Sequence, residues 1–409
     1  MTRAVRIRVA ALPRGGVVDI VAGMSLQDDA LDELRALAAA HRLRVPRVVD
    51  GLPGPLAVID GREVINFAAN DYLGLAGDPR LVRAAAAALD EGGAGVGSSR
   101  LIVGNHRQHV LLEAAVADWL RTGGVRLFNT GYAANVGVLS ALLAAGDVVF
   151  SDALNHASII DGCRLSRAEI VVFPHRDVAA LEAALATRRG RRRIVVSESL
   201  FSMDGDLADV EAIAALCKRH DAAFVLDEAH AVGVIGPEGR GLAALRGVVP
   251  DVLIGTFGKA LGAFGAFAAS SRAVADLLWN RARPLVFSTG LPPSVPASAL
   301  AAVEIVRSGD GDERRRILAG HAHRLRASVR CAGGEATSAI VPIVIGDDRA
   351  VMSWTDRLLS DGVFVQGIRP PTVPPGTARL RVGLSSAHAP AQLDILSELF
   401  VKMLSEVGP

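Results

Sequence analysis

Residues 223–230 read AFVLDEAH, an apolar run that ends in two carboxylates and a histidine. The run Ala223 to Leu226 predicts a short buried strand with Asp227 at its carboxyl end. Similar runs at 170–173, 194–196 and 251–255 alternate along the chain with helical stretches such as 108–121. This alternation predicts an α/β fold with a mainly parallel sheet covered by helices on both faces. Because such sheets bind ligands at the carboxyl ends of their strands, Asp227 is a candidate site residue.

The remaining patterns predict an organisation around this sheet. Residues 1–23 lack the compact apolar core of a signal peptide and are expected to be a flexible, dispensable extension. Residues 24–66 are expected to form an N-terminal arm, with a helix over about 26–43 and strand-like alternation over 56–67. A large domain then spans 67–292. After Leu291-Pro292-Pro293 the pattern changes, and 293–409 predicts a smaller C-terminal α/β domain with strands at 340–345 and 378–384.

Composition narrows the classes of function. The 409 residues carry a net charge of only +1, which argues against nucleic acid or an acidic membrane surface as a partner and favours small-molecule chemistry. Cys163, Cys217 and Cys331 are too scattered for a disulfide framework or a paired metal site, so a reduced cytoplasmic setting is expected. The uncharged runs 127–146 and 284–303 reach membrane-spanning length, but internal polar residues and prolines favour buried α/β segments.

Lysine is rare in this chain, and Lys259 stands out among the three lysines. It lies in the sequence TFGKALG at 256–262, directly after a predicted buried strand and among small residues that let backbone approach a ligand. An isolated lysine beside glycines is more often a surface residue, but the predicted buried strand before Lys259 favours a role in a ligand site. A phosphate-binding P-loop is excluded, because residue 253 is Leu and residue 260 is Ala. A lysine amine can form a Schiff base, which arginine cannot do.

The residues around this lysine fit pyridoxal 5′-phosphate (PLP). Asp227 could keep a pyridine nitrogen protonated, as PLP chemistry requires, and His230 could reach the neighbouring phenolic oxygen. A strand-end Asp is also often a plain helix cap. Gly131 lies where a helix is predicted to begin, so backbone N–H groups there could cradle a phosphate, and Thr256 offers a hydroxyl. His156 could be a capping or core histidine, or it could stack on the cofactor ring.

Six motifs, in this order, resemble those of the α-oxoamine synthases. These are PLP-dependent enzymes of fold type I, which condense an amino acid with an acyl thioester and release carbon dioxide. The resemblance spans about residues 25–400 and implies the same fold, with a large and a small domain and an N-terminal arm. The motifs are NDYLGL at 70–75, GVGSSR at 95–100, NHAS at 155–158, SMDGD at 202–206, DEAH at 227–230 and TFGK at 256–259.

The resemblance also implies roles for individual residues. Lys259 would hold PLP as a Schiff base and act as the base, His156 would stack on the ring, and Asp227 and His230 would contact the pyridine nitrogen and the phenolic oxygen. The enzymes of this family are homodimers with sites at the interface, so part of the phosphate site is expected to come from a second subunit. The further residues are Ser202 beside the phenolic oxygen, Gly131, Tyr132 and Thr256 at the phosphate, Ser288 and Thr289 from the second subunit, and Arg42, Asn70 and Arg381 at the substrates.

Segment 368–381, which reads IRPPTVPPGTARLR, favours family members that condense L-alanine with a pimeloyl thioester in biotin synthesis. The acyl carrier could be coenzyme A or an acyl carrier protein, and His106 and Arg107 could face the acyl channel. The alternatives are an α-oxoamine synthase that uses glycine, serine or another acyl group, an aminotransferase, and a non-catalytic relative. The arginine cluster at 188–193 favours a solvated loop, with a site for coenzyme A phosphates as the second interpretation.

Overall fold

The structure, a computed structural model, describes residues 25–407. The chain divides into two compact units, residues 1–45 and residues 46–409. The described part of the first unit contains helix α1 (Leu26–Ala39), which begins at Ser25 with a reciprocal capping box to Asp28. The helix ends four residues earlier than the predicted limit at Leu43, and His41 beyond it has a positive φ of 54°. The predicted extension 1–23 lies outside the described residues.

The second unit is built on a seven-stranded sheet with the order β4-β10-β9-β8-β7-β5-β6. Strand β10 is antiparallel to both of its neighbours, and the remaining pairs are parallel. The predicted α/β fold with a mainly parallel central sheet is therefore confirmed. The strands are β4 (Gly124–Phe128), β5 (Val148–Asp152), β6 (Glu169–Phe173), β7 (Arg193–Glu198), β8 (Ala223–Asp227), β9 (Val252–Thr256) and β10 (Ala266–Ser270).

Helices cover both faces of this sheet, and two apolar clusters fill the space between. One cluster joins α4 and α5 to one face through residues such as Val138 and Ile159, and another joins α6 and α7 to the other face through Leu181 and Ile213. Parallel strands need this cover because both of their faces are apolar. The helices are α2 (Pro79–Gly92), α3 (Arg107–Leu120), α4 (Gly131–Leu142), α5 (Ala157–Ser166), α6 (Val178–Thr187), α7 (Val210–Arg219), α8 (Leu242–Leu245), α9 (Arg272–Arg281) and α10 (Arg283–Val286).

Two smaller sheets complete the second unit. Strands β11 (Ile340–Gly346), β14 (Ala378–Gly383) and β13 (Gln366–Ile368) form an antiparallel sheet. Strands β1 (Val49–Asp50), β2 (Leu56–Ile59) and β3 (Arg62–Asn66) continue into β12 (Val363–Phe364), which runs parallel to β3. The last helices are α11 (Ser294–Val306), α12 (Gly309–Ser328), α13 (Asp348–Ser360) and α14 (Pro390–Val407).

The β3–β12 pairing joins the predicted N-terminal arm to the predicted C-terminal domain. Between them, Trp119 of α3 and Leu380 of β14 belong to one continuous apolar cluster. The domain limits at 66 and 293 remain a proposal, because both positions lie inside one compact unit.

The two long uncharged runs form ordinary elements of this fold. Residues 127–146 contain the end of β4 and all of α4, and residues 284–303 contain most of α10 and of α11. Across residues 25–407, no helix is both long enough and apolar enough to cross a bilayer.

The arginine cluster at 188–193 is tied to the protein. Arg191 donates to both carboxylate oxygens of the buried Asp147 at 3.0 and 2.9 Å. Arg192 donates to the backbone carbonyl of Leu142 at 2.7 Å, which closes the end of α4. The segment is largely exposed, as a solvated loop would be, but these arginines also anchor the start of β7.

Candidate active site

A cavity of about 190 Å³ lies at the carboxyl ends of the central strands. Asp227 ends β8, and its register partner Glu198 ends the neighbouring strand β7. Lys259 follows β9, and Gly131 begins α4. The residues that line the cavity are Gly131, Tyr132, Asn135, His156, Ser158, Glu198, Asp227, Ala229, His230, Thr256 and Lys259.

The Lys259 amine is buried and contacts a histidine. Its Nζ lies 2.8 Å from Nε2 of His230, whose Nδ1 lies 2.7 Å from the hydroxyl of Tyr72. Burial lowers the pKa of Lys259 to about 8, although the carboxylates of Asp227 and Glu198 oppose this shift. Burial and the nearby cations Lys259 and Arg381 lower the pKa of His230 well below its usual value. Near neutral pH the imidazole is therefore neutral, and part of the lysine population is an uncharged amine.

Hydrogen bonds fix the orientation of the Asp227 carboxylate. Asn135 Nδ2 donates to Asp227 Oδ2 at 2.7 Å, and the backbone N–H of Ala229 donates to Oδ1 at 2.8 Å. Asn135 also donates to Ser158 Oγ at 3.0 Å. Donors on both oxygens stabilise an ionised carboxylate inside a buried site.

His156 is the N-cap residue of α5, so helix capping and the site share one side chain. Its Nδ1 lies 2.8 Å from Ser158 Oγ, and its backbone N–H donates to Glu198 Oε1 at 2.6 Å. Burial lowers the pKa of His156, opposed by the Asp227 carboxylate. Burial and the same carboxylate raise the pKa of Glu198. The cavity thus contains the Asp227 carboxylate and, in Glu198, a second carboxyl group that is readily protonated.

The start of α4 is the candidate anion site of the cavity. Helix α4 begins at Gly131, and its N-cap Thr130 accepts a hydrogen bond from Ala133 at 3.0 Å. The first N–H groups of a helix lack partners within the helix and attract anions. Thr256 adds a hydroxyl that donates to the carbonyl of Gly265 at 3.0 Å. Tyr132 is half-exposed, and its hydroxyl bonds to Asp161.

The predicted substrate residues Asn70 and Arg381 meet on Tyr72. Asn70 Oδ1 accepts a hydrogen bond from the Tyr72 hydroxyl at 3.0 Å, and Arg381 Nη2 donates to the same hydroxyl at 3.3 Å. Arg381 Nε donates to the backbone carbonyl of Ser202 at 2.6 Å. Asn70 and Arg381 are therefore linked to the cavity by hydrogen bonds through Tyr72 and His230. Ser202 contacts Arg381 with its backbone carbonyl and not with its hydroxyl.

Seven of the predicted residues line one cavity, and others lie elsewhere. Ser288 and Thr289 do not line it in the described part of the chain, and the carbonyl of Thr289 instead accepts from Asn129 at 3.1 Å. Arg42 follows α1 in the first unit, so its role at the acyl entrance stays a prediction. The seven that line the cavity are Gly131, Tyr132, His156, Asp227, His230, Thr256 and Lys259.

Sequence reasoning gave no role to four polar residues of this site, which are Tyr72, Asn135, Ser158 and Glu198. Glu198 ends a buried strand as Asp227 does, so the same argument could have found it. Asn135 lies four residues after Gly131, one helical turn along the same face of α4. Tyr72 and Ser158 lie in the motifs NDYLGL and NHAS, but the contact of Tyr72 with Arg381, 309 positions away, has no local signal.

The donor set of the cavity fits PLP. It offers an amine for the aldehyde carbon, a carboxylate for the pyridine nitrogen, and a helix start with a threonine for the phosphate. Asn135 Oδ1 is buried and has no hydrogen-bond partner among residues 25–407, as expected of a wall that a polar group is to face.

Comparisons with known proteins agree with this geometry. The aminotransferase class I and II family matches residues 62–400. A protein of Pelobacter propionicus named 8-amino-7-oxononanoate synthase is 46% identical over 92% of this chain and 98% of its own length. An 8-amino-7-oxononanoate synthase of Anaeromyxobacter dehalogenans is 47% identical, with coverage of 92% and 96%.

Solved structures of two PLP-type enzymes superpose on this chain. A variant of serine palmitoyltransferase from S. paucimobilis, with a bound PLP–myriocin aldimine, superposes with a TM-score of 0.88 at 33% identity, covering 93% of this chain and 98% of that one. An 8-amino-7-oxononanoate synthase from Francisella tularensis gives a TM-score of 0.72 at 25% identity, with coverage of 84% and 98%. The chain is a PLP-dependent enzyme that belongs to the aminotransferase class I and II family, in the branch that contains the 8-amino-7-oxononanoate synthases.

Proposed function

We propose that the protein condenses L-alanine with a pimeloyl thioester to form 8-amino-7-oxononanoate, carbon dioxide and a free thiol, in biotin synthesis. A carbon–carbon bond forms between Cα of alanine and the acyl carbonyl carbon, and the carbon–sulfur bond breaks as the thiol leaves. The bond from Cα to the alanine carboxylate then breaks, and a proton returns to Cα. The likeness to curated relatives at 44–47% identity supports this reaction.

The observation that carries the proposal is the buried amine of Lys259, placed in one cavity with Asp227 and 2.8 Å from His230. PLP, when bound, supplies an electron-withdrawing ring that accepts the electron pair from Cα. The residues of the chain hold this group and manage the protons around it. Lys259 would hold it covalently, Asp227 would keep a proton on the pyridine nitrogen, and His230 would contact the phenolic oxygen.

Lys259 is also the base for the α-proton. Its lowered pKa of about 8 means that part of the Lys259 amine population is uncharged near neutral pH. In the low-dielectric cavity an uncharged amine next to Cα can take the proton and later return it. His156, held by Ser158 and by Glu198, would stack on the ring of PLP.

Arg381 and Asn70 bind the carboxylate of the amino acid. Arg381 is buried and can only donate hydrogen bonds, so a carboxylate is the ligand that suits it. Gly131, Tyr132 and Thr256 hold the phosphate at the start of α4, and Ser202 lies next to the phenolic oxygen. Arg42 contributes at the acyl entrance.

A thiol-release panel tests the proposal. Purified holoenzyme would be offered L-alanine, glycine or L-serine, each with pimeloyl-CoA, pimeloyl acyl carrier protein or palmitoyl-CoA. L-Alanine with one of the pimeloyl thioesters is expected to give the highest kcat/KM, together with carbon dioxide and 8-amino-7-oxononanoate. Transfer of the amino group to a keto acid without thiol release would instead identify an aminotransferase.

One observation favours a second candidate, the condensation of serine with a long-chain acyl thioester. The serine palmitoyltransferase structure superposes at a TM-score of 0.88, above the value of 0.72 for the 8-amino-7-oxononanoate synthase structure. The same panel separates the two, since preferred use of L-serine with palmitoyl-CoA would establish the second candidate.

We also propose that the protein is a cytoplasmic homodimer. Ile102, Val103 and Phe287 are large apolar residues that are 71%, 80% and 71% exposed. They flank a β-bridge between Ser99 and Thr289, next to the residues assigned to the partner's phosphate site. Exposed apolar surface of this kind favours contact with a second copy. Sedimentation equilibrium is expected to give twice the chain mass, and Ser288→Ala is expected to weaken PLP binding.

A further inference from the structure

Tyr72 lies at the junction of the two halves of the site. Its side chain is fully buried, and its hydroxyl contacts Asn70 Oδ1 at 3.0 Å, His230 Nδ1 at 2.7 Å and Arg381 Nη2 at 3.3 Å. Two of these partners belong to the proposed carboxylate site. The third contacts Lys259 through its other ring nitrogen at 2.8 Å. A single hydroxyl therefore connects the amino-acid end of the site to the cofactor end.

The proton inventory of this cluster constrains His230. A phenol has one proton to donate and two lone pairs that accept. Arg381 can only donate, so it occupies one lone pair, and the phenol proton points to the Asn70 carbonyl oxygen. Nδ1 of His230 must then donate to the second lone pair. This leaves Nε2 as the unprotonated nitrogen that faces the Lys259 amine.

A purely structural tyrosine would need only its ring. Tyr72 belongs to the main apolar cluster, as do Leu73 and Leu261, and a phenylalanine ring could fill the same place in that cluster. The hydroxyl contributes only polar contacts, and burial raises its pKa, so the phenol stays neutral. Removal of the hydroxyl oxygen of Tyr72 would therefore remove the hydrogen bonds and leave the packing of the ring in place.

We propose that Tyr72 is a positioning residue, whose hydroxyl fixes the tautomer of His230 and holds Arg381 and Asn70 in register for the substrate carboxylate. This inference rests on the proposed function, because it assigns Asn70 and Arg381 to the amino acid. Binding of the carboxylate at Arg381 then changes the hydrogen bonding of His230 through Tyr72. His230 passes this change to the cofactor oxygen and to Lys259. Amino-acid binding and proton transfer share one hydrogen-bonded unit.

Tyr72→Phe in the holoenzyme tests the inference. The dissociation constant for L-alanine, measured from the change in cofactor absorbance without any acyl thioester, is expected to rise by roughly 10- to 100-fold, as for the loss of a hydrogen bond to a charged group. The pH midpoint of the cofactor absorbance is also expected to shift, because the variant removes the hydroxyl that contacts His230. The other charged or titratable groups that act on His230 are Lys259, Arg381 and His156. KM for the acyl thioester should stay the same.

Ser385→Ala is the matched control. Its hydroxyl donates to the backbone carbonyl of Asp71 at 2.6 Å, so it supports the same turn without contacting the Tyr72 hydroxyl. This variant should keep the wild-type alanine dissociation constant and the wild-type pH midpoint. If Tyr72→Phe also keeps both values, or if Ser385→Ala shifts them equally, the positioning role is wrong.

The outcome is independent of the thiol-release panel. Should wild-type enzyme prefer another amino acid, the dissociation constant is measured with that amino acid. Should the protein bind none of them, the pH midpoint of the cofactor absorbance still tests the link between Tyr72 and His230. A changed midpoint supports the inference, and an unchanged midpoint overturns it.

Discussion

Two histidines in this protein, the buried His230 and the partly exposed His175, have the same number of polar partners and opposite protonation behaviour. His230 lies between Tyr72 at 2.7 Å and Lys259 at 2.8 Å. His175 lies between two carboxylates, Asp152 and Asp206, at 2.9 Å each. Burial lowers the pKa of both rings, but at His175 the carboxylates outweigh burial and raise the pKa to about 9, whereas at His230 nearby cations lower it further.

This difference indicates that the group around His230 takes part in catalysis and that the group around His175 stabilises the fold. His175 is a protonated clamp, which ties the end of β5 to the loop that carries Ser202 and packs edge-on against Phe201. His230 is kept neutral next to an amine, which suits a group that exchanges protons with its neighbours. The charge of the partners, more than the depth of burial, assigns one histidine to structure and the other to the site.

The largest effect should follow from removing the amine that His230 faces. Lys259→Arg is expected to abolish turnover and the visible absorbance of bound PLP, since a guanidinium group is neither a practical nucleophile nor a base at neutral pH. Absorbance spectra and thiol release measure this. Lys218→Arg on the exposed surface of α7 is the matched control and should behave as wild type. Turnover by the Lys259→Arg protein would contradict the central assignment.

Asp227→Asn should have the next largest effect. It keeps the shape that bonds to Asn135 but removes the charge that holds a proton on the pyridine nitrogen. A fall in kcat of about 10²–10³-fold is expected, as for loss of a preorganised electrostatic contact. Asp206→Asn, which removes a carboxylate from the other histidine, should lower stability with little change in kcat. Equal losses of kcat in both variants would erase the distinction between the two clusters.

His175→Gln should lower stability in a pH-dependent way. Because the folded pKa of His175 is about 9 and lies above the ordinary value of 6.5, its stabilising charge is fully present below about pH 6.5 and is lost as pH rises through 9. With the side chain 23% exposed, screening leaves about 1–2 kcal/mol at stake. Urea unfolding at several pH values should show wild type losing this difference by pH 10. A constant gap between the two proteins would refute the clamp.

The smallest effect is expected at the arginine cluster. Asp147 keeps backbone donors at Ala144 and Arg192 when Arg191 is removed, so Arg191→Ala should cost about 1 kcal/mol or less in the free energy of unfolding. KM for the coenzyme A thioester should stay the same. A several-fold rise in that KM would instead support a site for coenzyme A phosphates.

The central sheet and the inner cofactor residues could be predicted from sequence, because local patterns encode them. Asp227 and Lys259 each follow a short apolar strand, and a strand end in a parallel sheet is a known site position. The Asn70–Tyr72–Arg381 meeting point could not be read in this way. It depends on how β14 packs beside the turn at residue 72, which is a tertiary contact without a local signal. The clamp at His175 was missed for the same reason.

The pairing of β3 with β12 also sets an order of assembly during synthesis. The residues that line the cavity all lie between Gly131 and Lys259 and can come together while the chain is still growing. Strand β3 finds its parallel partner, and Asn70 and Tyr72 find Arg381, only when the last part of the chain has emerged. A nascent chain could thus complete the lining of its cofactor cavity before it can bind an amino acid. Binding of the amino acid becomes possible only after residue 381 has been synthesised and has folded against Tyr72.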